Sequence, residues 1–429
     1  MKRLIATTAI CAAMPLATLA QDKPDSLNVG MTTFLTGPAS VFGVPARDAM
    51  DILVQNLNDA GGINGVPVEV TYIDEGAGAE ALTSEFRRAV EQGGAEVMFA
   101  SISSGNCQTL APLAEDLQVM TYMWDCGTQR IFEEADYDYV FRTQANATPE
   151  MLAAVIYLLK TQPDFETIAV VNQDYAWGRD SWDIFRTALR QFKPEVEVVG
   201  EFFPAFGAPD YSTEISRLQG LQPDIVLSTS WGGDLDTFVQ QASQRGLMNS
   251  STFVLPLAES SLERLGSALP PGQIVGARGD HYFLHPERRD DQDFKDFMTQ
   301  FEDKTGNITV YSVFHASQAI AALKAAYEKA IEENGVDWPT EDQVLAAMDG
   351  LEFQGLGGPV TIREDNQGIE AQLMGTSAEN GDYDFATLEN IMIFDGADIT
   401  APVGENSIEW IETLEPSFVD EVSVTTFDN

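Results

Sequence analysis

Residues 95–128 read "AEVMFASISSGNCQTLAPLAEDLQVMTYMWDCGT". "AEVMFAS" is a short, continuous apolar run of the kind that forms a buried strand, and "VMTYMW" is another. Between them, Leu110, Leu113, Ala114 and Leu117 fall at helical spacing, which predicts a helix from about Ser104 to Leu117. Strand, helix and strand in this order make a βαβ unit, whose strands lie parallel and usually side by side. Cys107 then falls in the first helical turn and Cys126 just past the end of the second strand.

The same rhythm runs outward in both directions. "LNVGMTTF" (27–34) reads as a strand, followed by a helix over about 46–60, a turn and strand in "GGINGVPVEVTYIDE" (61–75) and a helix over 80–92. After "YVFRTQANATPE" a helix should run to about Lys160, and the βα rhythm then restarts near residue 165. Strands are expected in "ETIAVVNQD", "VEVVGEFF", "PDIVLSTSW", "TFVLPL" and "QIVGARGDHYF", separated by helices over about 179–192, 211–220 and 235–245. Two helices follow near 290–304 and 312–334, then a tail of short strands and turns after about 355. This pattern predicts an α/β fold with parallel sheets.

The amino terminus sets the compartment. Lys2 and Arg3 precede a mostly apolar run from Leu4 that ends in Thr18-Leu19-Ala20, the form of a secretory signal peptide cut after Ala20. A membrane anchor fits less well, because the polar "QDKPDS" follows at once, and Cys11 lacks the small neighbour expected of a lipid-anchored cysteine. An exported chain with two remaining cysteines makes pairing of Cys107 with Cys126 the default, with two buried free thiols as the alternative. Closing so short a loop contributes about 3 kcal/mol. Three isolated histidines and two cysteines give no metal-ligand spacing, and no cofactor is expected.

Without Lys2 and Arg3 the chain carries 22 basic against 67 acidic residues. Such acidity argues against nucleic acid and anionic membrane surfaces as partners, and reads as a solubilising surface. With 44% hydrophobic residues and no low-complexity tract the chain is globular, and its length exceeds one core, so two domains are expected.

In parallel sheets ligands sit outside the carboxyl ends of the strands. Those ends read "FLTGPASVFG", "SISSGNC", "MWDCGT", "NQDYAWG", "STSWGGD" and "LPLAESS". Small and hydroxyl residues alternate there with Phe42, Trp124, Tyr175, Trp177 and Trp231, a composition suited to a small organic ligand.

Taken in order, "FLTGPASVFG", "NDAGGINGVPVEV", "SSGNCQTLAPLAEDLQV", "DYAWG" and "SWGGDLDTFVQQASQRGL" resemble the periplasmic binding proteins of the leucine/isoleucine/valine type, the ligand receptors of ABC importers. The resemblance implies two Rossmann-like lobes joined by a three-strand hinge, with a small-molecule ligand in the cleft between them and closure about the hinge. It implies a leader over 1–20, one lobe from 21–144 plus 278–360 and the other from 145–277 plus 361–429. It implies a monomeric periplasmic protein that delivers its ligand to permease subunits in the inner membrane. Residue by residue, the ligand's carboxylate would meet Ser104, with Ser103, at a helix start. The segment Asp125 to Thr128 would supply a second contact, mapping to Gly127 or Thr128. Tyr175 and Phe42 match the family's aromatic contacts, and Trp124, Trp177 and Trp231 add walls. The acid that would hold an ammonium falls near Leu257, which cannot serve. Glu259 or Asp125 is expected to replace it, so the ligand could be an amino acid or a related amine, amide or aromatic carboxylate.

No G-x-S-x-G, Walker, H-E-x-x-H or G-x-G-x-x-G motif is present, so the chain is not expected to be an enzyme, and a secreted hydrolase on this scaffold is the distant rival. His281 and His285 in "HYFLH" are spaced for a helical metal site, but their surroundings suggest strand or loop and an incidental pair. A module reporting to a membrane sensor in place of a transporter is the nearer alternative.

Overall fold

The computed structural model describes residues 22–427. The leader expected over 1–20 lies outside the described residues. Sixteen strands form three sheets among the described residues. β1 (Leu27–Thr33), β2 (Val68–Asp74), β3 (Val97–Ala100), β4 (Met120–Met123) and β5 (Val140–Arg142) make a fully parallel sheet in the order β2-β1-β3-β4-β5. β6 (Thr167–Val171), β7 (Glu197–Phe202), β8 (Ile225–Leu227), β9 (Thr252–Leu255) and β10 (Ile274–Gly276) make the parallel part of a second sheet. β11 (Glu352–Gln354), β12 (Pro359–Ile362) and β13 (Gly368–Ile369) form a small antiparallel sheet. β14 (Gln372–Ala378), β15 (Thr387–Phe394) and β16 (Val424–Phe427) extend the second sheet antiparallel, giving β16-β15-β14-β10-β9-β8-β6-β7.

Strands buried on both faces explain the unbroken apolar runs: every residue of β3 and β4 is buried. β3 and β4 pair in parallel from Val97 opposite Met120 to Ala100 opposite Met123, with the helix Ser104–Leu117 as their crossover. The expected α/β fold with parallel sheets is thus the observed one. Two expectations at element ends differ. The first helix starts at Ser40, six residues before its apolar spacing becomes regular, and carries Pro45 inside it. Gly43 permits this early start, since a Cβ there would lie 2.2 Å from the Phe34 carbonyl oxygen. The strand expected over "QIVGARGDHYF" stops at Gly276, because Arg278 takes a left-handed φ of 47° and Gly279 a φ of 110°, which end the ladder.

The chain passes between the two large sheets after β5, after β10 and between β13 and β14. After β10 it returns to the first sheet's side, where the helix Tyr311–Asn334 packs along the helix Ser40–Asp59. These passages bring the carboxyl ends of both sets of parallel strands to face one another.

Candidate ligand-binding site

At the end of β3 the backbone turns into the helix Ser104–Leu117, and Glu75 organises that turn. Its buried carboxylate accepts from Ile102 N at 2.9 Å, Asn106 Nδ2 at 2.9 Å and Thr32 Oγ1 at 3.3 Å, as well as from Ser101 Oγ. Cys107, in the helix's first turn, is bridged to Cys126 beyond β4, with Cα atoms 6.3 Å apart and both residues fully buried. The bridge ties the turn that carries Ser104 to the turn that carries Asp125.

These turns form one wall of a narrow pocket between the two sheets. Ile102, Ser104, Asp125 and Gly127 line it from the first sheet, and Tyr175, Trp177, Trp231 and Leu257 from the second. Tyr311, at the start of its helix, and Arg278, on the segment leaving β10, complete the lining. Trp231 donates to Tyr175 Oη at 2.6 Å and Trp177 donates to the Thr229 carbonyl at 2.8 Å, so both indoles are fixed. Gly127 is needed for this closeness: a Cβ there would sit 2.3 Å from the Trp177 ring and 2.8 Å from Arg278 Nη2.

Arg278 is the charged centre of the site. Its Nη1 donates to Asp125 Oδ1 at 2.5 Å, its Nη2 to the Asp125 carbonyl at 3.0 Å and its Nε to Glu150 Oε1 at 3.1 Å. The guanidinium lies 5.1 Å from the Trp177 ring centroid and 5.7 Å from that of Tyr311. Burial works against its charge, but Glu150 and Asp125 outweigh burial and hold it protonated. Burial pushes the Asp125 and Glu150 carboxyls up to about 8, against the pull of Arg278. A buried guanidinium still requires one ionised partner. We assign that role to Glu150, because Asp125 has a second polar neighbour, His315.

Of the residues expected to contact ligand, Ser104, Asp125, Tyr175, Trp177 and Trp231 line the cavity. The others stand behind it. Phe42 packs on Tyr311, with centroids 4.6 Å apart, and on Trp231 at 5.7 Å. Trp124 is fully buried and donates to the Thr32 carbonyl at 3.1 Å. Ser103 precedes the helix and its amide approaches Glu75 at 3.5 Å. Thr128 sends its hydroxyl to Asp180 at 2.6 Å, across to the other sheet's side, while its amide donates to Ser104 Oγ at 3.2 Å. Glu259 is fully buried and accepts from the Tyr311 amide at 2.9 Å, so it caps the helix Tyr311–Asn334.

Arg278 and Tyr311 were not foreseen. Arg278 left one trace in the sequence, a basic residue directly after an apolar strand in a very acidic chain. The other histidine expectation changes in detail: His281 meets His315 and Glu370, their ligand atoms lying within 4.8 Å of one another, while His285 lies outside that group. Each ring nitrogen in it already has a partner. His281 Nδ1 meets the Arg278 carbonyl at 2.8 Å and its Nε2 meets Gln318 Nε2 at 3.1 Å. His315 Nδ1 meets Asp125 Oδ1 and its Nε2 meets the Arg278 carbonyl at 3.1 Å. The group is a hydrogen-bonded network behind Arg278.

Residues 26–382 match the family model described as periplasmic binding protein. The Leu/Ile/Val-binding protein homolog 4 of Brucella abortus (strain 2308) is 21% identical over 421 residues, covering 92% of this chain and 95% of the relative. A solute-binding protein of an ABC transporter from Rhodopseudomonas palustris BisB5, solved in complex with 3,4-dihydroxybenzoic acid, has a TM-score of 0.75 at 19% identity, over 88% of this chain and 99% of that one. A leucine-binding protein from Thermotoga maritima MSB8 has a TM-score of 0.69 at 17% identity, over 85% and 98%. Two sheets whose parallel strands face each other at their carboxyl ends, three passages between them and a family match over most of the sequence lead to one conclusion: the chain belongs to the periplasmic binding protein family, with its type I fold.

Proposed function

We propose that this protein is the exported solute receptor of an ABC importer, and that its solute is a small, flat carboxylate carrying a hydroxyl or similar donor, a hydroxylated aromatic acid being the best-fitting class. The carrying observation is the interlobe pocket with Arg278 in its wall and Tyr175, Trp177, Trp231 and Tyr311 around it. Aromatic walls take up a planar ring, and a guanidinium suits a carboxylate. The related Rhodopseudomonas protein with a bound dihydroxybenzoic acid supports this class over an aliphatic amino acid. With Leu257 where the family's acid would stand and Asp125 and Glu259 both engaged inside the protein, an ammonium has no dedicated counter-charge.

In this reading residues 21–144 with 278–360 move as one lobe and 145–277 with 361–429 as the other, in a monomer. The leader over 1–20 exports the chain to the periplasm, and permease subunits in the inner membrane receive the solute. Nothing in the site calls for turnover of the ligand. A thermal-shift screen of benzoate, 4-hydroxybenzoate, 3,4-dihydroxybenzoate, phenylalanine and leucine tests the class. A bound acid at 100 times its Kd adds about 2.7 kcal/mol, or about 3 °C in Tm for some 400 residues. Stabilisation by leucine and by none of the aromatic acids would reject it.

A further inference from the structure

Both nitrogens of His315 face oxygens. Nδ1 is in hydrogen-bond contact with Asp125 Oδ1, and Nε2 is 3.1 Å from the Arg278 carbonyl oxygen. A neutral imidazole has one N–H and one lone pair. A carbonyl oxygen and an ionised carboxylate only accept. With Asp125 ionised and His315 neutral, one ring nitrogen would therefore point a lone pair at an acceptor in a fully buried place, a costly arrangement. One additional proton resolves it. Either Asp125 is protonated and donates to Nδ1 while Nε2–H donates to the Arg278 carbonyl, or His315 is an imidazolium donating at both nitrogens.

We infer that Asp125 and His315 share one proton near neutral pH, so that the pair is uncharged and His315, without lining the cavity, sets the site's preference for a carboxylate over an ammonium ligand. The inference rests on the proposed function for its consequence, not for the proton itself. The Arg278 carbonyl then receives two donors, His281 Nδ1–H and His315 Nε2–H, matching its two lone pairs. Asp125 Oδ2 has no partner among the described residues and belongs to a side chain lining the cavity, so it is left to accept a donor from the ligand.

The surroundings favour the proton on Asp125. Its neighbours are Arg278 on the segment after β10, Glu150 on the helix Ala147–Thr161, Glu370 before β14, His281 and Asp280, and the phenols of Tyr175 and Tyr311. Burial raises the Asp125 carboxyl, while burial and the positive charges at His281 and Arg278 push the His315 ring well down. With the pair neutral, Glu150 alone balances Arg278 by direct contact, and an incoming carboxylate meets no second fixed anion at Asp125.

The chain has three histidines, so imidazole nitrogen NMR of the ligand-free protein gives three sets of signals. His281→Gln and His285→Gln variants identify two of them and leave His315 by elimination. The expected result near neutral pH is a neutral His315 with its proton on Nε2 and an accepting Nδ1, together with a protonated-carboxyl infrared band that disappears in Asp125→Asn. An imidazolium at His315 with no such band places the same shared proton on the ring and also supports the inference. A neutral His315 with no band lost in Asp125→Asn overturns it, whatever any ligand does. As a second measurement, 4-hydroxybenzoate binding to the wild-type protein should weaken as pH rises through about 8, by up to tenfold per unit, as the shared proton is lost. Asp125→Asn should abolish that pH dependence. If the proton is found and no aromatic acid binds, the ligand class fails while the proton assignment stands.

Discussion

Replacing Arg278 with Met is the sharpest perturbation of this site. The substitution keeps an unbranched chain of similar reach and removes the guanidinium that Asp125 and Glu150 share. Three hydrogen bonds are lost, at 2.5, 3.0 and 3.1 Å, two of them to carboxyl groups at least 97% buried. Orphaning a buried charge costs about 3–5 kcal/mol. Both carboxyls can escape that cost by taking up a proton, since burial raises each and the guanidinium that opposed this is gone. The sign follows from linkage. A carboxyl whose folded pKa lies above its unfolded value binds more protons in the folded state, so stability falls as pH rises between the two values. At about pH 6 the Arg278→Met variant should pay only for neutral hydrogen bonds, about 1–2 kcal/mol. At about pH 9 it should lose about 3–5 kcal/mol. Urea unfolding followed by the fluorescence of the six tryptophans reads this directly. With a slope of about 3 kcal/mol per molar, the midpoint should fall by about 1–1.7 M at the higher pH and less than about 0.7 M at the lower. Equal losses at both pH values, or a loss under about 1 kcal/mol at the higher, would refute the reasoning.

Three further outcomes follow from the same structure. Changing Cys107 and Cys126 together to Ala should cost about 3 kcal/mol of stability, from the loop-closure entropy of a 19-residue separation, seen as a urea midpoint that no longer responds to reductant; a wild-type midpoint in the oxidised comparison would contradict this. Burial pushes the Glu259 carboxyl well above its ordinary range, and Glu259→Gln keeps an acceptor for the Tyr311 amide, so it should lower stability by no more than about 1 kcal/mol and leave the ranking of ligands unchanged; a loss confined to amine-bearing ligands would instead place Glu259 on the ligand. Gly127→Ala pushes a methyl group into Trp177 and Arg278 and should cost about 1–3 kcal/mol and at least tenfold in affinity for 4-hydroxybenzoate, measured by titration calorimetry; unchanged binding would show that the indole does not bound the ligand.

The fold was legible because its signals are local. Continuous apolar runs such as Val97–Ala100 and Met120–Met123 are what a doubly covered parallel strand requires, and their spacing leaves room for one helix between them. The aromatic residues at strand ends were legible for the same reason, and three of the five foreseen, Tyr175, Trp177 and Trp231, line the cavity. Arg278 was hidden by its own backbone. Periodicity reads "QIVGARGDHYF" as one strand, whereas a left-handed residue at 278 ends it and swings the following chain toward the other sheet. Tyr311 and His315 lie on a helix whose place beside Asp125 is set by a passage of the chain between the two large sheets, which no local spacing reports. Glu259 illustrates the opposite difficulty. Its residue type and position suited a ligand contact, and only the helix start at Tyr311, distant in sequence, shows what its carboxylate holds.

The central claim is that this cavity recognises a planar carboxylate through Arg278 between aromatic walls. Titration calorimetry of the purified protein with 4-hydroxybenzoate and, separately, with tyramine tests it most directly, because the two share a phenol ring and differ in the charge they carry. The account predicts one saturable site per chain for 4-hydroxybenzoate, lost in Arg278→Met, and no binding of tyramine. Binding of tyramine in preference to the acid, no binding of the acid at all, or acid binding that survives the loss of Arg278 would contradict it.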